Sequence, residues 1–278
     1  MRIENPKLDE SQNPNVTHES AAREWWLLVA QAALLIALLF ALARGLAWLV
    51  GNYLPYAYEQ RYLSPVVQSV LDDTQPDEKL QALADQLAKN IQLPEGMHVK
   101  IHVSKEPDIN AFATFGGHIV VMQGLLEKAP TEQALSMVLA HEMAHLQHRD
   151  SLKALMQTAL LQLAKAAIFG QQTAVDNSLM LGMLSYSRGQ ETAADETALH
   201  TLQAHYGSIA GGIEMYQLLA QAEHEILQKS WLPQWLATHP DTEQRQKHLR
   251  QYAAQHGLNT QGTTTPNPWY KAPATPQQ

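Results

Sequence analysis

The chain has 278 residues, with 27 acidic against 19 basic side chains and a formal net charge of -8. That length can bury a full core in one large domain or two small ones. The acidic balance excludes the clustered Lys and Arg that a phosphate backbone requires, so nucleic acid is not an expected partner. There is no cysteine, which removes disulfides, thiolate catalysis and cysteine-ligated metal and leaves His, Asp and Glu as metal ligands.

Residues 1–24 read as a disordered tail, rich in Asn, Pro, Ser and acidic side chains. Residues 25–50, Trp25 to Val50, read as a transmembrane anchor. From Leu27 to Ala43 Gln31 is the one strongly polar side chain. A helix of this length spans roughly 39 Å, more than the roughly 30 Å hydrocarbon core. Trp25 and Trp26 at one end, with Trp48, Tyr53, Tyr56 and Tyr58 at the other, match interfacial aromatic belts. A cleaved leader is the competing reading, with Ala41-Leu42-Ala43 as its small-x-small site. The long acidic stretch ahead of the apolar run favours a retained anchor. Arg2, Lys7 and Arg23 precede the span and Arg44 and Arg61 follow it, which leans towards a cytoplasmic N-terminus and an extracytoplasmic (periplasmic) catalytic domain.

Residues 51–75 read as a connector, aromatic-rich from Pro55 to Pro65. Leu80, Leu83, Leu87 and Ile91 predict a helix over Asp77–Asn90. Val99, Ile101 and Val103 alternate as in a strand over Met97–Val103, and a second strand, Gly117–Met122, follows a loop. His98, His102 and His118 fall on the solvent face of these strands. The second strand is either an edge onto which an extended peptide adds or a fully paired inner strand. Pro130-Thr131 starts a helix with Thr131 as N-cap, running to about Arg149. Leu152–Phe169 is apolar but interrupted by Lys153, Gln157, Gln162 and Lys165, which fits an amphipathic core or surface helix; a membrane-apposed segment is the alternative. Helices follow over Ser187–His205 and Ser208–Gln228. Residues 257–278 are rich in Thr, Pro, Gln and Asn and read as a disordered tail. The fold expected is α+β and mostly helical, with a small β-sheet in a domain over residues 76–256 and one transmembrane helix ahead of it.

His141-Glu142-Met143-Ala144-His145 carries the chemistry. Residues four apart share a helix face, so both imidazoles reach one metal ion, and the adjacent glutamate is placed to take a proton from an attacking water. Two histidines leave a catalytic zinc one protein ligand short. Six residues past His145 stands Ser151, which is no ligand, so the third comes from a later helix. Glu191 is the best candidate. Asp195, one turn on, would accept a ring N–H from a liganding histidine and so fix its tautomer. An ordinary solvated acidic stripe is the competing reading for this pair.

His239, before Pro240, would stabilise an oxyanion, cover the metal, or cap local backbone. Arg188 would pair with Asp195 or meet the substrate, and the pairing is the expectation. His148 is expected at the surface where its helix ends.

These pieces together resemble the M48 family of membrane-associated zinc metallopeptidases. The resemblance rests on Asn110-Ala111-Phe112-Ala113 with Gly116-Gly117-His118-Ile119-Val120-Val121, His141 to His145 with Arg149-Asp150, Ser187-Arg188 with Glu191 and Ala194-Asp195, and Thr238-His239-Pro240 with Arg245. It covers about residues 65–250; Phe115 departs from it, standing where many members have proline. The resemblance implies a zincin-like metallopeptidase domain with one zinc ion per chain held by His141, His145 and Glu191, and Glu142 as general base. It implies protein or peptide substrates at or near the lipid bilayer, in membrane or envelope protein quality control. A membrane-tethered chaperone or binding module with a structural or occluded zinc is the alternative, and an aminopeptidase a further one.

Overall fold

The computed structural model describes residues 21–169, 186–227, 239 and 242–271. Most of residues 1–24 therefore lie outside the described residues, as do Thr238, Pro240 and residues 272–278.

Helix α1 (Ala21–Tyr53) contains the expected span and extends it at both ends. Among the described residues it is the one helix long and apolar enough to cross a membrane. The segment expected as a connector is itself helical: α2 (Tyr56–Leu71) runs straight through Pro65. Its Glu59 is buried and bonded to Gly116 N–H (2.9 Å) and to the Arg149 guanidinium (2.7 and 3.0 Å). Those contacts hold a helix that sequence periodicity alone would not announce.

The sheet has four strands, β1 (Thr74–Gln75), β2 (Lys100–Ser104), β3 (Ala111–Ala113) and β4 (His118–Met122), in the order β1-β2-β4-β3. β2 and β4 are parallel, with Ile101 opposite Ile119, while β1 and β3 are antiparallel to their neighbours. The strand suspected as an edge, β4, is thus an inner strand. β3 lies outside it at one end of the sheet, and β1 is the strand at the other end. Entry into β4 needs glycine at 117: its φ is +80°, and a Cβ there would lie 2.3 Å from the His98 carbonyl oxygen. His102 and His118 are half-buried rather than free on a solvent face; their rings stack and their nitrogens lie 2.9 Å apart.

α3 (Glu78–Ala88) begins at Asp77, whose carboxylate accepts from Leu80 N–H. It turns Leu80, Leu83 and Leu87 onto the sheet and α5. Each such leucine, fully buried, is worth roughly 1.5–3 kcal/mol. A short α4 (Gln123–Lys128) leads into α5 (Glu132–His148), whose N-cap is Thr131 as its sequence predicts. α5 is the centre of the domain, with every residue from Gln133 to Leu146 buried. It ends at Arg149 in the left-handed conformation (φ 53°) and α6 (Asp150–Phe169) starts at once. α7 (Arg188–Tyr206) and α8 (Ala210–Leu227) pack on α5, and α9 (Thr242–Gln255) packs on α7 and α8.

Residues 258–271 do not form a free tail. Glu132 N–H donates to Thr265 O, and Trp269 Nε1 donates to Asp77 Oδ2. Asn267 is buried, and its amide donates to the carbonyls of Leu126 (2.8 Å) and Ala129 (2.7 Å) at the end of α4. The polar composition suggested disorder, but here the polar groups serve as caps for buried carbonyls. Asn267→Ala leaves both acceptors unsatisfied, and urea unfolding is expected to show a loss of about 1–3 kcal/mol with an unchanged m-value.

Candidate active site

The site sits where α5 meets α7. Small residues on both helices, Ala140 and Ala144 against Ala194 and Ala198, are fully buried and let the backbones approach. α7 opens with a capping box: Ser187 Oγ accepts from Gln190 N–H while the Gln190 side chain accepts from Ser187 N–H. Glu191 therefore falls in the first turn, where the helix dipole favours a carboxylate.

His141 and His145 face each other with their Nε2 atoms 3.1 Å apart. Their Nδ1 atoms point the other way. His141 Nδ1 lies 2.9 Å from Asp195 Oδ1, and His145 Nδ1 lies 2.9 Å from Asp150 Oδ2. A carboxylate only accepts, so each Nδ1 bears the proton and each Nε2 offers a lone pair inward. Two lone pairs at this separation repel unless a cation, proton or metal, lies between them. Burial disfavours charge on His141, but Asp195 and Glu191 outweigh it and raise its pKa to about 9.

Glu191 completes the face, with Oε2 3.4 Å from His141 Nε2 and Oε1 3.4 Å from His145 Nε2. Burial disfavours its charge, yet His239 and the two α5 histidines hold its carboxyl well below the usual carboxylate range. His239, fully buried, places Nδ1 3.0 Å from Glu191 Oε1 and 3.3 Å from His141 Nε2. Burial lowers its pKa, against the opposing pull of the Glu191 and Glu142 carboxylates. Ligand atoms from His141, His145, Glu191 and His239 all lie within 4.8 Å of one another. A tetrahedral zinc with bonds of about 2.0–2.1 Å sets its ligand atoms about 3.3–3.4 Å apart, so these residues fit such an ion. Charge argues the same way. Glu142, Asp150, Glu191 and Asp195 are buried together, and Arg245 offsets part of their charge; a divalent cation supplies more.

Glu142 Oε2 accepts from Ala113 N–H at 2.8 Å, which fixes the carboxylate against β3. Its Oε1 is buried, has no hydrogen-bond donor among the described residues, and lies 3.5 Å from His239 Nε2. Ser151, set aside as a ligand, instead donates to Ala113 O and meets Tyr186 OH at 3.0 Å. The outer edge of β3 is thus engaged at Ala113 by the site itself.

Several partners carry no local sequence signal. Asp195 is held by Arg245, at 2.9 Å from Nε and 2.7 Å from Nη2, and also accepts from Tyr216 OH. The guanidinium expected from Arg188 comes instead from Arg245, because α9 lies against α7; Arg188 is exposed in the first turn of α7. Arg245 Nη1 also lies 2.7 Å from Glu191 Oε2, so one side chain ties both carboxylates. Asp150 is fixed by Gln190 Nε2 at 2.8 Å, and Tyr186 stacks on His145 with ring centroids 3.8 Å apart. His148 is partly exposed at the end of α5, as expected.

A buried His-His-Glu-His group beside a glutamate with a free oxygen defines a candidate metallohydrolase centre. Residues 74–253 match Peptidase family M48, well over half of the chain, and the chain belongs to that family and is a metalloprotease. It is 32% identical over 170 residues to the mitochondrial metalloendopeptidase OMA1 of Bos taurus, covering 54% of this chain and 31% of that protein. It is 29% identical over 168 residues to the beta-barrel assembly-enhancing protease of Escherichia coli (strain K12), covering 53% and 33%. To the metalloprotease LoiP of the same strain it is 29% identical over 190 residues, covering 65% and 71%. The match spans about a third of the length of the first two relatives.

Asp195→Ala removes the acceptor behind His141 and one of the two carboxylates that Arg245 ties. Zinc affinity measured by chelator competition is expected to fall about 10- to 100-fold, in line with the loss of a ligand-orienting carboxylate.

Proposed function

We propose that the protein is a membrane-anchored zinc endopeptidase acting on protein or peptide substrates, with His141, His145 and Glu191 as the zinc ligands and Glu142 as general base. The observation that carries this reading is the facing pair of Nε2 atoms backed by Asp195 and Asp150, with Glu142 Oε1 beside it accepting no hydrogen bond among the described residues. Zinc in such a site supplies Lewis acidity, acidifying water and polarising an amide carbonyl. Asp195 and Asp150 hold the Nδ1 protons of the two histidines and so keep the Nε2 lone pairs inward. Glu142, anchored through Oε2 by Ala113 N–H, keeps Oε1 free to accept the proton of the attacking water and to return it to the leaving amine. Helix α1 serves as the anchor, with the domain of residues 76–256 on the extracytoplasmic side and envelope or membrane protein quality control as its role.

His239 supports a second element of this reading. It joins His141, His145 and Glu191 in one group of ligand-bearing side chains, so a metal held by all four would be covered rather than open. A binding module with an occluded zinc shares this geometry. Activity separates the two.

Glu142→Gln is expected to retain zinc at one ion per chain and to lose casein cleavage by about 10²- to 10⁴-fold, measured on the full chain in detergent. Cleavage at the wild-type rate contradicts the mechanism. His239→Ala is expected to raise the rate of casein cleavage by uncovering the metal. A fall assigns His239 to transition-state stabilisation, and inactivity of the wild type and both variants points to the binding module.

A further inference from the structure

We propose that Ser151 and Tyr186 are positioning residues for Glu142: their hydroxyls fix the end of β3, and β3 in turn fixes the carboxylate. This rests on the reading of Glu142 as general base and adds to it two residues from outside the histidine-bearing helix.

The carboxylate takes its orientation from a strand end that the sheet holds on one side. β3 is three residues long, and β4 is its one strand neighbour among the described residues. At this end Ala113 N–H donates to Glu142 Oε2 at 2.8 Å. The buried carboxylate is therefore only as firmly placed as the backbone of Ala113.

The peptide unit that follows Ala113 is gripped from two sides. Thr114 N–H donates to His118 O at 2.8 Å, which ties it to β4. The carbonyl of the same unit, Ala113 O, accepts from Ser151 Oγ at 3.1 Å, which ties it to α6. A serine hydroxyl has one proton to give, and a carbonyl oxygen only accepts. The 3.0 Å contact between Ser151 Oγ and Tyr186 OH is therefore donated by the tyrosine. The bonds run in one direction, from Tyr186 O–H to Ser151 and from Ser151 O–H to Ala113 O. Burial pushes the Tyr186 pKa well above its ordinary value, and the Glu142 carboxylate pushes it the same way, so the hydroxyl keeps the proton it donates. Glu142, Ser151 and Tyr186 are all buried, where an unmade hydrogen bond is costly.

The same short segment serves the other half of the site. Asp150 accepts from His145 Nδ1, and Ser151 is the next residue, so the first turn of α6 orients a histidine with one side chain and the base with the other. Tyr186 joins the two, because its ring stacks on His145 with centroids 3.8 Å apart. Such alignment matters because a misplacement of about 1 Å between reacting groups can cost about 10²-fold in rate.

Ser151→Ala, Tyr186→Phe and the double variant are compared with wild type as full-length protein in detergent. Cleavage of fluorescein-labelled casein gives kcat and KM, and plasma mass spectrometry gives zinc content. Hydrogen exchange over residues 111–114 is followed by mass spectrometry on both zinc-loaded and zinc-free protein. Expected for Ser151→Ala is a kcat about 10- to 100-fold lower with KM and zinc content unchanged. Exchange over 111–114 is expected to be about 10-fold faster, with or without zinc. Tyr186→Phe keeps the ring on His145 and loses the hydroxyl alone. It is expected to lower kcat in the wild-type background and to add nothing in the Ser151→Ala background. Wild-type kcat in a folded Ser151→Ala variant overturns the proposal. So does a joint loss of kcat and zinc, which assigns Ser151 to the support of the histidines. A further loss when Tyr186→Phe is added to Ser151→Ala overturns the relay. Should Ser151→Ala fail to fold, Tyr186→Phe decides alone, and wild-type kcat and exchange in that variant overturn the proposal. An inactive wild type overturns the reading of Glu142 as base and the proposed role with it, while the exchange data report separately on whether the two hydroxyls hold β3.

Discussion

The contact between α5 and α7 is the constraint on which the site depends. Ala140, Ala144, Ala194 and Ala198 carry no side chain beyond Cβ and are fully buried, so two helices meet closely enough for Glu191 to reach a pair of histidines one turn apart. A larger residue at any of these four positions would push the helices apart, and core overpacking typically costs about 1–3 kcal/mol. The effect on metal geometry would be greater than on stability, because ligand distances tolerate little displacement.

Orientation comes from a layer of carboxylates behind the histidines. Asp195 and Asp150 come from different helices, and each is fixed from its other side, Asp195 by Arg245 and Tyr216, Asp150 by Gln190. Burial disfavours the charge of Asp195, yet the Arg245 guanidinium beside it holds its carboxyl well below the usual range. The site thus stores several buried charges that are satisfied in pairs, and α9, through Arg245, is as necessary to it as the helix bearing the histidines. The left-handed turn at Arg149 adds a third link, since it joins the end of α5 to Glu59 of α2.

Much of this was legible where the signal is local. The spacing of His141, Glu142 and His145, the four-residue interval from Glu191 to Asp195, and the cap Thr131 each follow from helical periodicity or from a side chain bonding nearby backbone. What could not be read depends on contacts between residues far apart in the chain. Nothing near Arg245 says that its partner is Asp195, 50 positions earlier, and nothing near Glu59 says that it bonds Arg149, 90 positions later. Pro65 made α2 look like an irregular linker, and the Thr, Pro and Asn content of residues 258–271 made them look unstructured, although Asn267 uses its amide to cap α4. The strand β4 could be read as a strand but not as an inner one, because strand order is a property of the whole sheet.

The central claim is that His141, His145 and Glu191, drawn together by α5 and α7, hold one zinc ion. Zinc content of the purified protein, measured by plasma mass spectrometry alongside circular dichroism, tests it most directly when wild type is compared with Glu191→Ala. The account predicts one zinc per chain in the wild type and loss of most of it in the variant, with helical content retained. Full zinc occupancy in a folded Glu191→Ala variant, or none in the wild type after purification without chelator, would contradict it.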